Sequence, residues 1–142
     1  MRQESGKGNE LRPGGGFLES MTRWPATALA AAAIIAISEI PQAAFPPVPL
    51  FPHVDKAVHL IEYLVLGALL FRSLCYELSG NLRLAAIIAV TGGTVFGVCD
   101  EWHQSFTGRT PDVWDALADV AGLLCGVACI LIAQSWSKEH VN

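Results

Sequence analysis

The sequence predicts an all-α fold, an integral membrane bundle of four transmembrane helices with both termini on the cytoplasmic side. Three observations lead there. Hydrophobic residues fill 52% of the 142 positions and charged residues only 15%, whereas soluble domains run near a quarter charged. The apolar residues are gathered into long runs, of the roughly 17–25 residues a helix needs to cross a bilayer, and mean hydropathy is +0.42. Lysines and arginines, finally, favour some connections over others, which sets an orientation.

Residues 1–22 are polar and glycine-rich without periodicity and read as a disordered tail. Met21, followed by Thr-Arg-Trp and an apolar run, has the form of a native start. The first apolar run, Trp24–Ile40, is rich in alanine and lies near the lower length limit for a span. Arg23 before it and Ala43-Ala44 after it also fit a signal peptide; a retained first helix is the preferred reading. Prolines at 41, 46, 47, 49 and 52 then forbid a helix and give an extended connection. Its Phe45, Leu50 and Phe51 suit a segment lying on the membrane or on the other helices.

Asp55 is placed to cap the second helix, expected over 56–76, with His59, Glu62 and Tyr63 in its first two turns. A short link, ELSGNLR, leads to a third helix over 82–103, in which Gly92, Gly93 and Gly97 permit close helix contact. The fourth helix is expected over 112–136, with small residues at Ala116, Ala118, Ala121, Gly122 and Gly126. The membrane domain thus covers 23–137, and 138–142 form a short cytoplasmic tail.

Arg2, Lys7, Arg12 and Arg23 precede the first helix, Arg72 and Arg83 flank the second connection, and Lys138 follows the last helix. The first and third connections hold only Lys56 and Arg109. By the positive-inside rule the termini and the second connection are cytoplasmic, and the other two face outside. This orientation brings the start of helix two level with the end of helix three and the start of helix four. Asp55, Lys56, His59, Glu62 and Tyr63 therefore join Asp100, Glu101, His103, Gln104, Arg109, Asp112, Asp115 and Asp119 at one membrane level. Ionisable groups at a helix centre cost about 2.5–3.5 kcal/mol each on insertion scales, so such a concentration is read as a functional site.

Helical spacing sorts these residues. His59, Glu62 and Tyr63 share a face, Glu101 and Gln104 are i, i+3, and Asp112, Asp115 and Asp119 line one face of the fourth helix. Mixed charges of this kind can pair at the interface, or hold a cation or a phosphate. Arg109 in its Gly-Arg turn can clamp a carboxylate or phosphate, or neutralise Asp112 or Asp115. His59 suits a core histidine bonded to Glu101 or Asp115 as well as a metal ligand or proton carrier. Tyr63 reads as an interface anchor and Lys56 as a snorkelling side chain. Asp100 and His103 read as solvated rim, and His53 and His140 receive no role. Cys75, Cys99, Cys125 and Cys129 form no C-x-x-C pair and read as small buried residues. With a net charge of −4 and no basic stripe, nucleic acid is not a partner.

Two blocks carry a resemblance to a known family. The motif D-K-x-x-H-x-x-x-Y at Asp55, Lys56, His59 and Tyr63, and the run DEWHQSFTGRTPDVWDALADVAG, resemble the VanZ-like membrane proteins. In the second block Glu101, Gln104, Gly108, Arg109, Asp112, Asp115 and Gly122 match the family pattern, while Asp119 stands where Asn is frequent. The resemblance implies a multi-pass protein of the bacterial cytoplasmic membrane, in some members tied to lowered teicoplanin susceptibility. The residues expected to contact a ligand are Asp55, Lys56, His59, Tyr63, Glu101, Gln104, Arg109, Asp112, Asp115 and Asp119; none is assigned a catalytic part. Membrane lipids and a lipid-linked cell-wall precursor are the expected partners, and a divalent cation such as Mg²⁺ is the candidate cofactor. The leading reading is a binding site for an envelope-lipid head group. An intramembrane hydrolase or transferase acting on a phosphate-bearing lipid is the alternative, as is a small proton-coupled transporter, which would need a homo-oligomer.

Overall fold

The computed structural model describes residues 17–41, 44 and 53–139, with side chains from Trp24 to Ser137 within that set. Four helices follow one another: α1 Phe17–Ser38, α2 Val54–Glu77, α3 Leu82–Gln104 and α4 Val113–Glu139, with no strand among the described residues. The readings made for residues 1–16, for most of the proline-rich connection and for 140–142 lie outside the described residues.

Three helices, α2, α3 and α4, are long and apolar enough to cross a membrane. The apolar part of α1, Trp24–Ser38, is shorter than the others. α1 also begins at Phe17, so residues 17–22, read as tail, are helical. The apolar pattern misses this turn because Glu19 and Arg23 interrupt it. Asp55 does not cap α2. The cap position is His53, in the left-handed region at φ 61°, and Asp55 lies within the first turn.

Three further boundaries have a local cause. α2 ends where Gly80, at φ 80°, lets its N–H reach back to the Cys75 carbonyl at 2.8 Å. Asn81 then opens α3 by accepting from the Leu84 N–H at 3.2 Å. Asp112 caps α4, its Oδ1 accepting from the Trp114 N–H at 3.0 Å.

The short connections make α2 antiparallel to α3 and α3 antiparallel to α4, so α2 and α4 run parallel. Their contact is the most extensive in the bundle, and glycines make it possible. A Cβ on Gly122 would lie 2.4 Å from the Leu60 carbonyl oxygen, and one on Gly126 only 2.2 Å from that of Leu64. Leu123, fully buried, presses its backbone on Gly67 of α2 and its side chain on Gly93 of α3. Lipid tails are as apolar as leucine, so such close packing, with interhelical hydrogen bonds, is what holds membrane helices together. α1 lies along α2 through buried Thr27 and Ser73, whose hydroxyls are 3.2 Å apart, and through the Trp24 indole N–H donating to Glu77.

The outer faces carry Ile61, Ile87, Val95, Val98, Leu117 and Ile132, all exposed. Exposed aromatics gather at both ends, Trp102, Phe106 and Trp114 at one and Tyr76 and Trp136 at the other. That is the distribution of a protein whose two ends meet two membrane–water interfaces. At the end bearing Tyr76 and Trp136, Phe71, Leu74, Ala85, Ala89 and Val127 form an apolar core. The polar residues collect at the other end.

Candidate functional site

The starts of α2 and α4 and the ends of α1 and α3 meet at this polar end, where three layers can be distinguished. Outermost is Lys56. Its ammonium donates to Asp112 Oδ2 at 2.8 Å, Asp115 Oδ1 at 2.9 Å and Asp55 Oδ2 at 3.0 Å. Lys56 therefore ties the start of α2 to the start of α4 rather than snorkelling away from the bundle. Its ion pair holds the half-buried Asp112 carboxyl below its ordinary value of 3.8.

Below this layer, His59 Nδ1 lies 2.9 Å from Asp119 Oδ1 and 3.9 Å from Glu101 Oε1. Asp119 is the closest partner of His59, where the spacing suggested Glu101 or Asp115. All three side chains are buried. Asp119 lies about 10 Å along α4 from the Asp112 cap, at 1.5 Å per residue. The other Glu101 oxygen, Oε2, accepts from the Asp112 N–H at 3.3 Å. Tyr63 is fully buried against Phe96, ring centroids 6.2 Å apart, so it is a core residue and not an interface anchor. Gly97 makes room for both groups: a Cβ there would stand 3.0 Å from Asp119 Oδ2 and 3.3 Å from the Tyr63 hydroxyl.

The third layer lies toward α1. Asp100 Oδ2 accepts from the Ser38 hydroxyl at 2.7 Å and from the Gln104 amide at 2.8 Å, and all three residues are buried. Gln104 thus works with Asp100 and not with Glu101. Asp100 is no solvated rim residue, although His103 is exposed, paired with Glu39 at 2.6 Å. Arg109 is half-buried on the third connection, within electrostatic range of Glu62.

Of the ten expected ligand contacts, Asp55, Lys56, Asp112 and Asp115 form the outer ion-pair layer, and His59, Tyr63, Glu101 and Asp119 the buried one. Gln104 sits apart on the α1 side, and Arg109 stands on the connection between α3 and α4. Glu62, Asp100 and Ser38 were not among the ten. Glu62 shares the His59 face by spacing and could have been included; Ser38 is a small polar residue at a helix end and gives no such signal.

Several buried oxygens here have no hydrogen-bond partner: Glu62 Oε1, Tyr63 Oη, Asp100 Oδ1, Glu101 Oε1 and Asp119 Oδ2. Beside them a groove of about 150 Å³ opens between α3 and α4, lined by Thr94, Gly97, Val98, Ala116, Leu117 and Asp119 among others. Its walls are apolar, and Asp119 is the acid that borders it.

An all-helical chain with apolar spans and acids buried at one end is a membrane protein with a polar site within the bundle. The VanZ/LLP1 family model matches residues 18–134, and the chain belongs to that family. No curated protein and no solved structure matches it.

Proposed function

We propose that this VanZ-like protein binds the head group of an envelope lipid or lipid-linked cell-wall precursor at its polar end. In this reading all four helices span the bacterial cytoplasmic membrane. The termini and the 78–81 turn lie in the cytoplasm, and the polar end faces outward, as the Lys/Arg distribution favours. Occupancy by such a lipid would lower susceptibility to teicoplanin by changing what the membrane-anchored glycopeptide reaches.

One observation carries the proposal. The apolar α3–α4 groove opens where the helix faces are exposed and apolar, and Asp119 is among the residues that line it. A lipid chain lying in the groove would bring its head to the buried acids. The surplus of acceptor oxygens there suits a head group rich in hydroxyls or amides better than a bare phosphate. The hydrolase or transferase reading stands second, supported by the His59–Asp119 pair, in which a carboxylate orients an imidazole as general bases require. For proton-coupled transport, the buried polar groups beside the apolar core of Phe71 and Leu74 are the Thr27 and Ser73 hydroxyls, with no buried ionisable side chain among the described residues there.

Native mass spectrometry of the full chain, released gently from detergent, tests the proposal. The wild type should carry a lipid that Val98→Trp, which fills the groove from an exposed position, loses while keeping its helical circular dichroism. A wild type that flies bare, or a Val98→Trp variant with the same lipid, overturns it.

A further inference from the structure

We infer that His59, Glu101 and Asp119 form a binding centre for a divalent transition-metal cation, with the Tyr63 hydroxyl facing it. The inference does not rest on the lipid reading: Asp119 also lines the groove, but His59, Glu101 and Tyr63 are buried in the bundle and are not among the groove's lining residues. Each residue offers one donor atom, and the three donors lie within 4.8 Å of one another. Ligands held about 2.1 Å from one ion stand about 3.0–3.4 Å apart in octahedral or tetrahedral arrangements. The 2.9 Å and 3.9 Å separations from His59 Nδ1 bracket that range, so closure around an ion requires rotamer adjustment and not movement of a helix.

An acidic cluster alone would not suffice. The second observation is the set of orphaned oxygens: Asp119 Oδ2, Glu101 Oε1 and Tyr63 Oη are all without a hydrogen-bond partner, in residues only 2%, 7% and 0% exposed. Buried acceptors are ordinarily satisfied, and each exception calls for an explanation. Gly97 adds a third point, because any side chain there would fill the space beside Asp119 Oδ2 and the Tyr63 hydroxyl. Lys56, the nearest ammonium, is spent on Asp55, Asp112 and Asp115. Glu62 and Asp100 add to the negative field at Tyr63. The donor set decides the class of ion. One imidazole nitrogen with two carboxylates suits Mn²⁺, Fe²⁺ or Zn²⁺, whereas Mg²⁺ prefers all-oxygen ligands and keeps its waters.

The test uses the full chain in detergent, stripped with a chelator and titrated with Co²⁺ followed by visible absorption. Saturable binding of one ion per chain is expected, with Asp119→Asn and Glu101→Gln each weakening it at least about tenfold. Gly92→Ala, whose added Cβ meets nothing within 4 Å, should leave the affinity unchanged, and Val98→Trp should retain the metal even where lipid is lost. A second readout does not depend on acidic variants folding. With His53, His103 and His140 replaced by Gln and the chain labelled with ¹⁵N-histidine, bound Mn²⁺ should show an electron-spin-echo coupling to ¹⁵N. A folded wild type with no saturable Co²⁺ binding at millimolar metal overturns the centre. So does binding that both acidic substitutions leave intact, or bound Mn²⁺ without a nitrogen coupling; the acids would then share a proton instead.

Discussion

His59 of α2 and Asp119 of α4 meet with Nδ1 2.9 Å from Oδ1, both sealed inside the bundle. The pair joins the two most closely packed helices, where both groups are shut away from solvent. Asp119→Asn keeps an acceptor for His59 and should lower stability by less than about 1 kcal/mol. Asp119→Leu leaves the imidazole unpaired and should cost about 1–3 kcal/mol. Reversible unfolding in mixed detergent, followed by circular dichroism, checks both; equal stability of Asp119→Leu and wild type would sink this account.

The glycines of α4 divide sharply from one in α3. Gly126→Ala puts a Cβ 2.2 Å from the Leu64 carbonyl oxygen and 2.6 Å from the Ala68 nitrogen, backbone atoms that cannot turn aside. Gly92→Ala meets nothing within 4 Å and gains helix propensity of up to about 1 kcal/mol. Folded yield and melting temperature should collapse for the first and hold or rise for the second.

Lys56 makes a titration prediction through Asp112. An acid whose folded pKa is lowered contributes stability above its unfolded value, and that contribution is lost as pH falls through the folded value. Because Lys56 holds Asp112 below 3.8, the α2–α4 tie should persist at neutral pH and loosen only below that point. A ¹³C-carboxyl titration should show the Asp112 midpoint moving upward in Lys56→Met. An unmoved midpoint would mean that the ion pair is not formed in solution.

Orientation is open to cysteine labelling in a chain whose four native cysteines have been replaced. A Thr110→Cys variant should react with a membrane-impermeant maleimide in intact cells. Ser79→Cys should react only after permeabilisation. The opposite pattern would invert the proposed topology.

Arg109→Ala and Asp115→Asn bear on the ligand-contact reading. Both should raise teicoplanin susceptibility at unchanged expression and helical content, since Lys56 keeps two carboxylates when Asp115 is neutralised. Loss of the folded protein in both would instead mark the polar end as an ion-pair network that holds the helices.

The sequence is most informative where one residue type has one physical use. The apolar runs, Gly80 and Asn81 locate α2 and α3 closely, and the i, i+4 spacing of Asp115 and Asp119 places two acids on one inward face. Legibility ends where a tertiary neighbour decides. Asp100 is buried because Ser38 of another helix donates to it, and nothing in the run around Asp100 discloses that partner. Gln104 follows Asp100 for the same reason. His59 selects Asp119 over Asp115 because Lys56 already holds Asp115, a competition that spacing alone does not resolve.

Ser38 sits at the last residue of α1, yet its hydroxyl grips the residue next to Glu101. α1 therefore works as a strut braced against the α3 terminus. Displacement of the α1 end would be delivered to the backbone carrying Glu101 without any part of α1 entering the buried acids.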